Sequence, residues 1–82
     1  MIEDKVRKLI EKPINEMGII IDSIDYVKEG NNNYLRIVID RDKIIDIDTV
    51  VEVTRIVNPI LDEKDIINDS YILDISSKEK GE

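Results

Sequence analysis

Ile47-Asp48-Thr49-Val50-Val51-Glu52-Val53-Thr54-Arg55-Ile56-Val57-Asn58 is the stretch whose winding decides the fold. Its β-branched residues lose rotamer freedom in a helix, so propensity alone favours a strand. The pattern points the other way. Wound at about 100° per residue, Asp48, Glu52 and Arg55 fall in one stripe and Val50, Val53, Val57, Ile60 and Leu61 fall opposite, so a helix separates charged from apolar residues. A strand would put Arg55 on the same face as Val51, Val53 and Val57. The reading is therefore an amphipathic helix, with Asp46 capping its amino end through a side-chain oxygen and Pro59 ending or kinking it.

Upstream, residues 34–40 alternate and place Leu35, Ile37 and Ile39 on one face of a strand. Gly30 with Asn31, Asn32 and Asn33 signals a turn, because Gly and Asn tolerate positive φ. Residues 19–28 form the other strand of a hairpin. Ile24 and Tyr26 share one parity while Ile19 and Ile21 have the opposite one, so a bulge or burial on both faces is expected near Asp22. Tyr26 and Tyr34 flank the turn, where a cross-strand aromatic contact is expected.

At the amino end, Ile2, Val6, Leu9, Ile10, Ile14 and Met17 recur at helical spacing, and Gly18 stands where a left-handed cap belongs. Pro13 interrupts this stripe. A helix beginning at Pro13 would have only about five residues, so a continuous kinked helix is expected, which keeps the apolar stripe and forgoes one backbone bond. Downstream, residues 71–76 read as a last strand with Tyr71, Leu73 and Ile75 inward and Asp74 outward. The fold class is α+β in the order αββαβ, a three-stranded sheet with two helices packed on one face. The second helix allows a parallel, right-handed crossover from the second strand to the third.

Composition narrows the function. At 82 residues there is room for one domain. The absence of cysteine and histidine removes disulfides, thiolate zinc sites and the usual general base at neutral pH, so no cofactor and no enzyme activity is expected. Met1 to Lys8 carries acids in place of the apolar segment of a secretory signal, and no run reaches the roughly 18 apolar residues of a membrane span. A soluble cytoplasmic protein without a membrane partner is expected. The 19 acids against 12 bases leave a net charge of −7, which repels a phosphate backbone and forgoes counterion release, so weak or no direct RNA binding is expected. The acidity serves either solubility or a basic protein partner.

Asp40, Asp42, Asp46 and Asp48 invite comparison with hard-metal ligands. An EF-hand loop begun at Asp40 puts Ile44 and Ile45 where an oxygen ligand and a glycine are needed, and Val51 where a bidentate Glu belongs. A solvated loop ending in a helix cap fits better. Asp22 and Asp25 have opposite strand parity, and Ser76 and Ser77 have no histidine to activate them. These serines read as a strand end or an interdomain hinge. Arg36 points away from the face of Leu35 and Ile37, toward either an ion pair with Asp74 or Asp22, or a partner on the open side of the sheet. Three tyrosines with no Trp or Phe supply base stacking poorly.

Gly18 leading through an apolar stretch into Asp25-Tyr26-Val27-Lys28-Glu29-Gly30, then Leu35-Arg36-Ile37-Val38-Ile39-Asp40, resembles the amino-terminal domain of the RimP family of ribosome maturation factors. Residues 46–48, Thr54-Arg55, Leu61-Asp62 and Tyr71-Ile72-Leu73-Asp74-Ile75-Ser76-Ser77 follow in the places of that family's capping region, amphipathic helix and serine-ending strand. The likeness spans about residues 2–77. In the family the serines lead through a proline-glycine linker to an SH3-like barrel; here Lys78-Glu79-Lys80-Gly81-Glu82 follows. The expectation is a RimP-like domain over residues 1–77 with a disordered tail of mixed charge over 78–82, and without the carboxy-terminal domain. The resemblance implies a cytoplasmic assembly factor that binds the small ribosomal subunit precursor and a basic ribosomal protein in late maturation. A monomer is expected, and the residues taken to meet a partner are Arg36, Asp40, Asp74, Ser76 and Ser77. The competing reading is a stand-alone RNA-binding domain of KH-like or ferredoxin-like type, although the KH clamp loop and the aromatic sheet motif of an RRM are both missing.

Overall fold

The computed structural model describes residues 1–78, with helix α1 (Ile2–Glu16), strand β1 (Ile20–Glu29), strand β2 (Asn32–Asp40), helix α2 (Ile47–Lys64) and strand β3 (Ile72–Ser77). The order is the αββαβ read from the sequence. In α1, Val6, Ile10 and Ile14 are fully buried, and their spacing of one turn keeps them on one face. The helix runs through Pro13 and stops at Gly18, whose φ is +78°. Gly18 donates its N–H to the Asn15 carbonyl at 2.9 Å and Ile19 to the Ile14 carbonyl at 3.3 Å, the paired bonds of a Schellman motif. Ile14 and Ile19 both enter the core.

β1 and β2 are antiparallel, joined by a two-residue turn at Gly30 and Asn31 between the paired Glu29 and Asn32. Positive φ is confined to Gly30, at 62°, as in a type II′ turn. The register runs without interruption to Ser23 opposite Val38 and then shifts to Ile21 opposite Ile39, leaving Asp22 as an extra residue. This bulge reverses side-chain parity, so Ile19 and Ile21 join Ile24 in the core despite their odd spacing. The expected contact between Tyr26 and Tyr34 does not form. The turn pairs Tyr34 with Val27 and Tyr26 with Leu35, which puts the two rings on opposite faces.

Asp46 caps α2: its Oδ1 accepts the Thr49 backbone N–H at 2.9 Å and the Thr49 hydroxyl at 2.7 Å. Val53, Val57 and Leu61 are buried, while Asp48, Glu52 and Arg55 are exposed. Pro59 does not end the helix. It sits exposed on the outer side, and Ile60 and Leu61 beyond it pack into the core and hold the following turn in place. The helix ends at Asp65, with φ 48° and its N–H donated to the Leu61 carbonyl at 2.9 Å.

β3 lies parallel to β2, with Leu73 opposite Leu35 and Ile75 opposite Ile37, and the sheet order is β1-β2-β3. Both helices pack on the face that carries Leu35, Ile37 and Ile39, and among the described residues nothing covers the other face. Ile67 after α2 is buried at 6% exposure, a core contribution the sequence reading did not assign. Lys78 donates its N–H to the Ile39 carbonyl at 2.7 Å, and its ammonium lies 3.2 Å from Asp22. The rest of the expected tail, residues 79–82, lies outside the described residues.

Candidate functional site

Alternation along each strand and the register between strands decide which side chains reach the uncovered face. One row across it is Val27, Tyr34 and Ile72; the next is Asp25, Arg36 and Asp74; the third is Ser23, Val38 and Ser76, with Ile20 opposite Asp40 at the end. Ile20 and Ile72 are about half exposed, at 56% and 46%.

Arg36 lies in the middle row of the middle strand. Its guanidinium passes over the Tyr34 ring, 5.0 Å from the centroid, and reaches Glu29 near the turn, donating to the two carboxylate oxygens at 3.1 and 2.8 Å. A planar fork meeting both oxygens fixes direction as well as distance. Arg36 Nε also lies 3.6 Å from Asp74 Oδ2. The sequence reading proposed Asp74 or Asp22 as its partner. Asp74 does serve, Asp22 is engaged by Lys78 instead, and the closest partner is Glu29. The guanidinium hydrogen bond, and next its charge, hold the Glu29 carboxyl below its ordinary range, and the same hydrogen bond raises the Arg36 pKa.

The electrostatic consequence, among the described residues, is that the carboxylates of Asp25, Glu29, Asp40 and Asp74 share this face with the guanidinium of Arg36, which Glu29 and Asp74 engage. Exposed ion pairs of this kind add little to stability. Their effect here is to occupy the cation, so that a phosphate meets carboxylates around an arginine already forked onto one of them. Tyr34 is the one aromatic residue on this face; Tyr26 and Tyr71 pack against the core on the helix side.

Of the residues singled out from the sequence, Arg36, Asp40, Asp74 and Ser76 share the open face, whereas Ser77 stands opposite Ile39 and therefore on the helix side at the rim. Asp40 Oδ1 accepts the Arg41 backbone N–H at 2.8 Å. Asp46 is occupied by its cap, and the Thr49 hydroxyl, then the Thr49 backbone N–H, hold its carboxyl below the usual range. Sequence reasoning missed Glu29, Tyr34, Val38 and Ile72 as members of the face. The alternation of residues 34–40 carried half of that signal, and the cross-strand register supplies the remainder. A family model described as the RimP N-terminal domain matches residues 9–78, a span that includes all three strands, α2 and the second half of α1.

Proposed function

The chain belongs to the RimP family of ribosome maturation factors, as a member's amino-terminal domain, and on that premise we propose that it is a non-catalytic, cytoplasmic binding module that attaches to the immature small ribosomal subunit and receives a basic ribosomal protein in late maturation. The observation that carries this reading is the uncovered sheet face, where exposed isoleucines lie among carboxylates that outnumber the guanidinium. Apolar anchors within a charged rim suit a protein partner, and the sign of the rim selects a basic one. Among the described residues no helix is long and apolar enough to cross a membrane.

A stand-alone RNA-binding domain has less support. Sheets that bind single-stranded RNA offer aromatic rings for stacking, and here the Tyr34 ring is covered by Arg36. The net charge of −7 also opposes approach to phosphates.

The test is sedimentation of the purified chain with small-subunit precursor particles at about 0.15 M salt. The chain is expected to pellet with the particles, to lose binding when Asp25 and Asp74 are both replaced by lysine, and to keep it when Asp48 and Glu52 on the outer side of α2 are replaced. A chain left in the supernatant refutes the ribosomal reading. Tight, salt-steep binding of short RNAs would favour the RNA-binding domain instead.

A further inference from the structure

The two edges of the sheet, β1 and β3, are defended unequally. An edge strand offers unpaired N–H and C=O groups to any passing chain, and folds silence it with bulges, prolines and charged side chains. β1 carries the bulge at Asp22 and the charges of Asp25, Lys28 and Glu29. β3, Ile72-Leu73-Asp74-Ile75-Ser76-Ser77, has an uninterrupted register with β2, no proline and the single charge of Asp74.

In a strand the N–H and C=O of one residue point to the same side, and successive residues alternate. Lys78 donates its N–H to Ile39 on β2, so Ser76, Asp74 and Ile72 also turn their backbone toward β2. The N–H and C=O groups of Leu73, Ile75 and Ser77 consequently point outward. No backbone hydrogen bond among the described residues reaches them.

Beside this edge, the end of α2 and the segment after it form a concavity that includes Asp62, Asp65, Asp69, Tyr71 and Leu73, and every charged residue lining it is a carboxylate. Burial, with the charges of Asp62 and Asp65, pushes the Tyr71 phenol upward, in keeping with a negative potential there. We infer that the free edge of β3 takes up an extended, lysine- and arginine-rich segment of a protein partner as a fourth strand, its basic side chains lying over Asp62, Asp65 and Asp69. The inference rests on the reading of a basic protein partner and adds to the open face a second surface, with its manner of binding. A second copy of the chain fits poorly, because it would bring another net charge of −7 to a concavity whose charged lining is already all carboxylate. The phosphates of an RNA strand would meet the same carboxylates and lack the alternating backbone groups that complete a sheet.

The probe is a synthetic peptide of alternating lysine and valine, about ten residues long, titrated into the isotope-labelled chain, with a glutamate-for-lysine peptide as its counterpart. At saturation, amide exchange at Leu73, Ile75 and Ser77 is expected to slow by about tenfold or more while Ile72, Asp74 and Ser76 stay unchanged. Ser77→Pro removes an outward N–H and leaves the β2 pairing in place, and it should weaken the lysine peptide by about fivefold. Asp62→Asn combined with Asp69→Asn should also weaken it and flatten its salt dependence, independently of any strain at residue 77. Protection confined to β1 or to the open face, equal binding of the glutamate peptide, or no binding at all overturns the inference. Sedimentation separates it from the ribosomal reading. If Ser77→Pro and the Asp62/Asp69 variant both pellet with precursor particles as the unmodified chain does, the edge fails and the ribosomal reading stands; if the peptide protects the edge but the chain never pellets, the ribosomal reading fails and the edge stands.

Discussion

Gly18 holds φ at +78° with nothing within 4 Å of the place a Cβ would occupy, so a side chain there meets no clash and only the left-handed backbone penalises it. Gly18→Ala should cost about 1–2 kcal/mol, read as a lower urea midpoint at unchanged slope. An unchanged midpoint would mean that the helix end is not held by its two carbonyl bonds. Asp46 makes a pH-dependent contribution of known sign. Its folded-state pKa is depressed by the Thr49 hydroxyl and backbone N–H, so its stabilisation is present above the unfolded value near pH 4 and is lost as pH falls through the folded value. Asp46→Ala should therefore melt below the unmodified chain at neutral pH, with the gap closing below about pH 4. A gap of constant width across that range would remove the cap from the account.

At the scale of elements, the bulge at Asp22 reconciles two incompatible parities within one strand. Ile24 and Tyr26 pair opposite Ile37 and Leu35, while Ile21 pairs opposite Ile39 only because one residue is left unpaired between them. Deleting Asp22 would set Ile21 directly beside Ser23, opposite Ile39 and Val38, and so restore regular alternation with Ile19 and Ile21, now 1% and 7% exposed, still on the core face. The core then keeps both isoleucines, whose loss would take several kcal/mol from a total of about 5–15. The deletion variant is therefore expected to keep cooperative melting and a dispersed amide spectrum, and loss of cooperative melting would show that the strand is held by the bulge itself and not by parity alone. Pro59 makes the converse point: the packing of Ile60 and Leu61 outweighs the backbone bond that proline forgoes.

For the whole molecule the governing quantity is the charge of −7 on a body with a Cα radius of gyration of 12.5 Å. Charges this crowded repel within a screening length, about 30 Å at 0.01 M salt and about 8 Å at 0.15 M. Raising salt across that range should raise the melting temperature, because screening relieves repulsion in the compact state more than in the extended one. A melting temperature that falls with salt would show that ion pairs such as Arg36 with Glu29 outweigh the repulsion.

What the chain determined by itself was what depends on neighbours close in sequence. The five elements and their order, the apolar stripes of Val6, Ile10 and Ile14 and of Val53, Val57 and Leu61, the caps at Gly18 and Asp46, and the irregularity at Asp22 all follow from periods of two or 3.6 residues and from local hydrogen bonds. Tertiary structure decided the rest: that Tyr26 and Tyr34 part to opposite faces, that Arg36 reaches Glu29 before Asp74, that Ser77 leaves the face of Ser76, that α2 continues past Pro59 and that Ile67 enters the core. Each of these turns on a strand register or on burial against residues distant in the chain, and a one-residue change of register moves a side chain to the other side of the sheet without altering any local preference.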